Sequence, residues 1–265
     1  DVGIKIVDEA GAVLPGSINM CDNTPKQLKA QVAAIPGMTY QWYKDGVAIP
    51  GATSAIYIAT QPGVYTVKVM VPGNQCPSEA TITIVGGTSP TVQNAELKLC
   101  TTPSLSTFNL ETAKPLISTT QGAVFRFYAN QADAQAQNNS YITNLTTYSG
   151  TDGQILYVLV SNGAFCSKIA TLTLRKEETP TALITAPRLK ICAGESVLLT
   201  ATGGVTYQWS DSAATTGGIR TVSPTQTTTY TVYAIGAQGC KSLQPARITI
   251  EVVPAIVSNL KGGHI

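Results

Sequence analysis

Six cysteines are the residues of this chain best suited to chemistry: Cys21, Cys76, Cys100, Cys166, Cys192 and Cys240. An even number of thiols at recurring positions implies a disulfide framework and an oxidising compartment. No Cys-x-x-Cys pair is present, and the single histidine is His264. A zinc site is therefore disfavoured against disulfides, and a Ser-His-Asp triad and any His-based metal site are excluded. Asp8, Glu9, Asp152, Glu177 and Glu178 read as exposed loop carboxylates, and none sits in an apolar setting that would tune it for acid–base work. There is no Asp-x-Asp-x-Asp-Gly calcium loop and no glycine-rich phosphate loop. The expectation is a chain that is not an enzyme and takes no metal and no cofactor.

The cysteines fall into a repeat. Tyr40-Gln41-Trp42-Tyr43 comes back as Tyr207-Gln208-Trp209-Ser210, with a weaker copy at Phe125-Arg126-Phe127-Tyr128. Trp42, Phe127 and Trp209 are spaced by 85 and 82 residues, and a period this long means repeated domains. Three marks recur in one order around that column. A cysteine precedes an apolar strand (Cys21, Cys100, Cys192). A Tyr-led alternating strand follows the column, opening at Tyr65, Tyr157 and Tyr230. A second cysteine (Cys76, Cys166, Cys240) precedes a closing strand.

These elements are strands. Tyr65, Val67, Val69 and Val71 share one face and Thr66, Lys68 and Met70 the other. Asp45-Gly46 is a type I′ hairpin signal. A short helix or helical turn is read in Ala129–Ala136, and no helix of useful length is expected elsewhere. The class is all-β: three tandem immunoglobulin-like sandwiches, each with one disulfide. The expected boundaries are 1–87, 88–176 (divergent, no Trp) and 177–254, with 255–265 as a tail or the start of a further domain. Gly86–Pro90 and Arg175–Pro180 are read as linkers.

Composition agrees. Charged residues make up 12% of the 265 residues and the net charge is +2, so no basic field is present to attract nucleic acid. No run of 18 apolar residues exists, so no membrane insertion is expected of this segment.

Trp42 and Trp209 could stack on a sugar. Their recurrence in register with Tyr40 and Tyr207 favours the core, as for the tryptophan of strand C in an immunoglobulin-like sandwich. Phe127, Tyr65 and Tyr230 are assigned to the core with them. The cysteines depart from the antibody pattern, because Val67 and Val232 stand where the second antibody cysteine would be. Fifteen pairings are open to six cysteines. The pairing expected is the one local to each repeat: Cys21–Cys76, Cys100–Cys166 and Cys192–Cys240. It would tie the start of strand B to the F–G region at one end of each sandwich. Asp211-Ser212-Ala213 matches an Asp-(Ser/Thr)-apolar pattern of O-glycosylation, which makes Ser212 a candidate glycan site.

The first and third repeats, with Cys…Leu-x-Ala…Tyr-x-Trp…Tyr-x-Val…Cys, resemble the immunoglobulin-like or PKD-like repeats of large Bacteroidota surface proteins. The second, with Thr107-Phe108-Asn109-Leu110 and Phe127-Tyr128-Ala129-Asn130-Gln131-Ala132-Asp133-Ala134, is similar to a repeat found upstream of gliding-type sorting domains. This resemblance implies export by the type IX secretion machinery through a sorting domain that this sequence does not contain. It implies a place on the outer face of the outer membrane or outside the cell. The expected function is a non-catalytic, semi-rigid stalk or adhesin portion of a larger protein, with a surface glycan or a protein as ligand. The alternative is a glycan-binding accessory module of a secreted polysaccharide-degrading enzyme, which would need an exposed aromatic platform. A eukaryotic receptor ectodomain is a third reading.

Overall fold

The computed structural model describes residues 3–210 and 217–254; Ser212 and residues 255–265 lie outside the described residues. The chain divides into two compact units. One comprises residues 1–95, 112–143 and 156–172, and the other residues 96–111, 144–155 and 173–265.

The first repeat runs β1 (Lys5–Val7), β2 (Ser17–Cys21), β3 (Lys26–Gln31), β4 (Thr39–Lys44), β5 (Val47–Ala48), β6 (Ile56–Ala59), β7 (Gly63–Met70) and β8 (Ser78–Gly87). Its sheets have the orders β1-β3-β6 and β2-β8-β7-β4-β5. The opening segment thus serves both sheets: β1 pairs antiparallel with β3, and β2 pairs parallel with β8. The alternation read along β7 places Tyr65, Val67 and Val69 in the core. The β4–β5 turn has φ of 49° at Asp45 and 82° at Gly46, the double positive φ of a type I′ turn.

The middle segment runs β9 (Ala95–Thr101), a 3-10 turn at Leu110–Ala113, α1 (Lys114–Ile117), β10 (Val124–Tyr128), α2 (Gln131–Ala136), β11 (Ile155–Asn162) and β12 (Cys166–Glu178). Among the described residues it forms one four-stranded sheet of order β10-β11-β12-β9. The two-sheet arrangement seen in the first repeat does not recur here. Asn130 caps α2 by accepting from the Asp133 N–H at 2.9 Å, and Ala134 packs against Tyr128 and Leu159. The Tyr157-led strand is shifted by one residue against its counterparts. Leu156 and Val158 are buried in β11, while Tyr157 is half-buried on the opposite face.

The third repeat runs β13 (Leu183–Thr185), β14 (Lys190–Cys192), β15 (Val197–Thr202), β16 (Thr206–Trp209), β17 (Ile219–Val222), β18 (Thr228–Ile235) and β19 (Ala246–Val253). The sheets β13-β15-β17 and β14-β19-β18-β16 reproduce the first repeat, including a parallel β14–β19 pair.

Both expected linkers are partly strand. Gly86 and Gly87 end β8, opposite Met20 and Cys21. Arg175–Glu178 end β12, where Arg175 meets Glu96 at 2.9 Å. The charge run is the C-terminal end of an inner strand.

Two disulfides are present, Cys21–Cys166 and Cys100–Cys240, and Cys76 and Cys192 are free and exposed. The local pairing, with one bond in each repeat, is overturned. The reason is the parallel pairing. Cys21 lies beside Gly87 at the far end of β8, whereas Cys76 precedes the start of that strand. Nine steps at about 3.3 Å put roughly 30 Å between them, against a Cα–Cα limit near 7 Å. Cys192 beside Val253 and Cys240 ahead of β19 are separated in the same way. Each bond therefore joins one repeat to the next.

Candidate functional site: the two disulfide junctions

The first junction lies within the first unit. Cys21 ends β2 and Cys166 opens β12, with Cα atoms 5.7 Å apart. Asp22 and Asn23 follow with φ of 54° and 55°, the left-handed region that Asp and Asn tolerate best after Gly. This turn lets Asp22 work twice. Its N–H donates to the Gly87 carbonyl at 2.9 Å, and its Oδ1 accepts from the Ser89 N–H at 2.8 Å. Hydrogen bonds from the Ser89 side chain and backbone hold the Asp22 carboxyl below its usual range. Asn162 Nδ2 donates to the Thr88 carbonyl at 2.9 Å. Gly87 is required here, because a Cβ would come within 2.7 Å of Cys166 Sγ and 3.0 Å of the Phe165 ring.

The second junction lies within the second unit. Cys100 in β9 and Cys240 have Cα atoms 5.4 Å apart. Glu177 clasps the loop that carries Cys240. Its two carboxylate oxygens accept from the N–H groups of Gln238 and Cys240, each at 3.0 Å. The loop is closed by Gly236 N–H donating to the Cys240 carbonyl at 2.8 Å. A side chain at Gly236 would strike the Glu177 carboxylate. Thr101 brackets the same strand: its Oγ1 donates to the Glu177 carbonyl at 3.2 Å, and its carbonyl accepts from the Thr179 N–H at 3.0 Å. Asp152 accepts from the Lys176 N–H at 2.7 Å and from Gln238 Nε2 at 3.3 Å. The Lys176 backbone bond chiefly holds its carboxyl below the usual range.

Glu177 is thus a half-buried strand residue with two amide partners, not the exposed loop carboxylate expected. The signal was not available locally, since its partners lie 61 and 63 residues away. Beside this junction a cleft of about 610 Å³ is lined by Thr101, Lys176, Thr179, Pro180, Leu243 and Pro245, among others. Its lining is mostly threonine, serine and proline, with one lysine, Lys176, and one glutamate, Glu178.

The structure places the column residues in the interior. Trp42 is 0% exposed, faces Val67 across the sheet and donates Nε1–H to the Ser54 carbonyl at 2.9 Å. Trp209 is 2% exposed, faces Val232 and donates to the Gly217 carbonyl at 3.2 Å. Phe127 is buried opposite Val158. Tyr65 is buried and its hydroxyl donates to the Gln61 carbonyl at 2.8 Å; burial raises its pKa. Tyr230 is buried in the third core. Neither tryptophan is near a junction cysteine in the core clusters, which contain no cysteine.

Residues 96–180 match a family described as the Flavobacterium inter-domain disulphide bond domain, and residues 178–254 match the CHU_C-associated Ig-like domain. The first match contains Cys100 and Cys166, the two cysteines of the middle segment, each bonded to a different neighbour. No curated protein matches the sequence. Among solved structures, the chain is similar to an I-band fragment, I67–I69, of titin, at 11% identity and a TM-score of 0.35, covering 96% of this chain and 98% of that one. It is also similar to extracellular domains 3–5 of Drosophila OTK, at 11% identity and a TM-score of 0.35, covering 95% and 97%. A third likeness is to the insect immune protein hemolin, at 12% identity and a TM-score of 0.30, covering 95% of this chain and 77% of that one. The chain is an all-β, immunoglobulin-like protein with two disulfides, carrying domain types of Bacteroidota. No described helix is long and apolar enough to cross a membrane.

Proposed function

We propose that this chain is a non-catalytic, extracellular repeat segment, a stalk or adhesin portion of a Bacteroidota surface protein. The observation that carries the reading is that each disulfide ties one repeat to the next. A cross-link so placed limits how much chain a pull can draw out between neighbouring repeats, a property suited to a load-bearing tether and of no evident use to a catalyst. Disulfides persist in oxidising compartments, in keeping with an extracellular site. Export by the type IX machinery, anchoring at the outer face of the outer membrane, a part in gliding, and a glycan or protein ligand are proposed on the resemblance of the repeats. The domain boundaries 1–87, 88–176 and 177–254 are proposed on the same footing.

The accessory-module alternative draws no support from Trp42 and Trp209, which are buried where a sugar platform needs exposed rings. The test is antibody or protease labelling of this segment on intact host cells, together with incubation of the purified chain with polysaccharide and peptide panels. Surface labelling with no turnover is expected. A segment shielded inside intact cells, or hydrolysis abolished by changing one carboxylate, would overturn the proposal.

A further inference from the structure

The bonded cysteines alternate along the chain, so each disulfide is a node where two stretches of chain meet. One node is Cys21–Cys166 and the other Cys100–Cys240. Three arms of chain run between the two nodes: 79 residues from Cys21 to Cys100, 66 from Cys100 to Cys166 and 74 from Cys166 to Cys240. The first arm carries β3 to β8 and most of β9, and with them Trp42 and the bulk of the first core. The second carries α1, β10, α2 and β11. The third carries β12 to β18, and with them Trp209.

The sheet β10-β11-β12-β9 is woven from all three arms: β9 from the first, β10 and β11 from the second, and β12 from the third. In it β9 and β12 run parallel, because their partners advance together. Thr171 N–H donates to Asn94 Oδ1 at 2.9 Å, Arg175 Nη2 to Glu96 Oε1 at 2.9 Å, and Thr101 Oγ1 to the Glu177 carbonyl at 3.2 Å. β12 begins at the first node with Cys166, and β9 ends beside the second with Cys100. Drawing the nodes apart pulls β12 by its first residue and β9 by its last but one. The two strands then slide along each other, and the evenly spaced bonds of a parallel pair are loaded together instead of one at a time.

We propose that the two disulfides form a load-sharing device: tension applied ahead of Cys21 and beyond Cys240 falls on all three arms side by side, so the repeats yield together and not one after another. This rests on the reading of the chain as a load-bearing tether. The shortest arm sets the limit. Its 66 residues reach about 230 Å when taut, against about 770 Å for the 219 residues that separate Cys21 from Cys240 without the bonds. Forced unfolding follows the unfolding rate of whatever bears the load, and three arms that divide a force equally need up to about three times the tension of one.

The experiment pulls the full chain in optical tweezers through peptide tags at its two ends, which leaves the free Cys76 and Cys192 untouched. In the oxidised chain no release should lengthen the molecule by more than the 66-residue arm allows, and the strongest release should open all three arms at once. With dithiothreitol the fully drawn chain should be about 540 Å longer, and the repeats should release singly, starting at lower force. Buried-indole emission before pulling shows that the reduced chain is still folded. Cys21→Ser with Cys166→Ser gives a second comparison that needs no reductant. It keeps the Cys100–Cys240 node and frees the first arm, so the first repeat should release alone and at lower force. Release of whole repeats one by one in the oxidised chain would overturn load sharing. So would a first release at the same force with and without the Cys21–Cys166 bond. Either result would leave the extracellular reading standing, whereas a segment shielded inside intact cells would remove that reading and leave the measured load sharing in place.

Discussion

The carboxylate of Glu177 and the backbone N–H of Cys240 are 3.0 Å apart, so the loop that carries a junction disulfide is held by a charge as well as by a covalent bond. The second carboxylate oxygen takes the Gln238 N–H. Removing one partner from such a pair leaves the amides poorly satisfied, at a cost of about 1–3 kcal/mol. Glu177→Ala should therefore lower the melting temperature and speed hydrogen exchange at the Gln238 and Cys240 amides. Unchanged exchange at those two amides would contradict the clasp.

Three carboxylates give the chain an acid limit. Asp22, Asp45 and Asp152 are each held below the ordinary value of 3.8, chiefly by Ser89, by the Val64 N–H and by the Lys176 N–H respectively. A depressed folded pKa contributes stability that is present above the unfolded pKa and lost as pH falls through the folded one. Stability should therefore be steady near neutrality and decline below about pH 4. The triple variant with Asn at these positions should melt lower at pH 7 and show a flatter acid limb in a melting-temperature series. Parallel acid limbs in the two proteins would refute the assignment.

What could be read from the residues was local. The column Trp42, Phe127 and Trp209, the alternation through Tyr65, Val67 and Val69, and the Asp45-Gly46 turn depend on near neighbours, and they appear in the structure where they were read. The cysteine partners depended on which end of a sandwich each cysteine occupies. That is set by the parallel β2–β8 and β14–β19 pairs, a long-range choice that no local pattern carries. The one-residue shift at Tyr157 has a similar cause. Leu156, Val158, Leu159 and Val160 make β11 apolar on both faces, so alternation could not set its register. Gly86-Gly87 and Arg175–Glu178 looked like linkers by composition and became strand because the adjoining strands offered pairing partners.

The tryptophans should matter to stability and not to binding. Trp42 and Trp209 fill the centres of the first and third cores. Replacing either with Ala should cost about 3–5 kcal/mol, as deletions of large buried aromatics do. Urea unfolding followed by circular dichroism measures the loss. A variant that kept its unfolding midpoint but lost binding to a polysaccharide would instead support a sugar-stacking role.

Reduction should separate the junctions from the cores. The disulfides span 145 and 140 residues, and in the loop-entropy model each constrains the unfolded chain by roughly 5 kcal/mol. The two loops overlap in sequence, so the pair should contribute less than twice one bond. Neither core cluster of the first and third repeats contains a cysteine. Cys21→Ser with Cys166→Ser, or Cys100→Ser with Cys240→Ser, should therefore lower the melting temperature while the native tryptophan emission stays that of buried indole. Dithiothreitol added to the unmodified chain should do the same for both junctions at once. A shift of emission to that of water-exposed indole on reduction, in the absence of denaturant, would mean that the cores depend on the bonds for their packing. It would also remove the main physical support for cross-links that serve the connection between repeats.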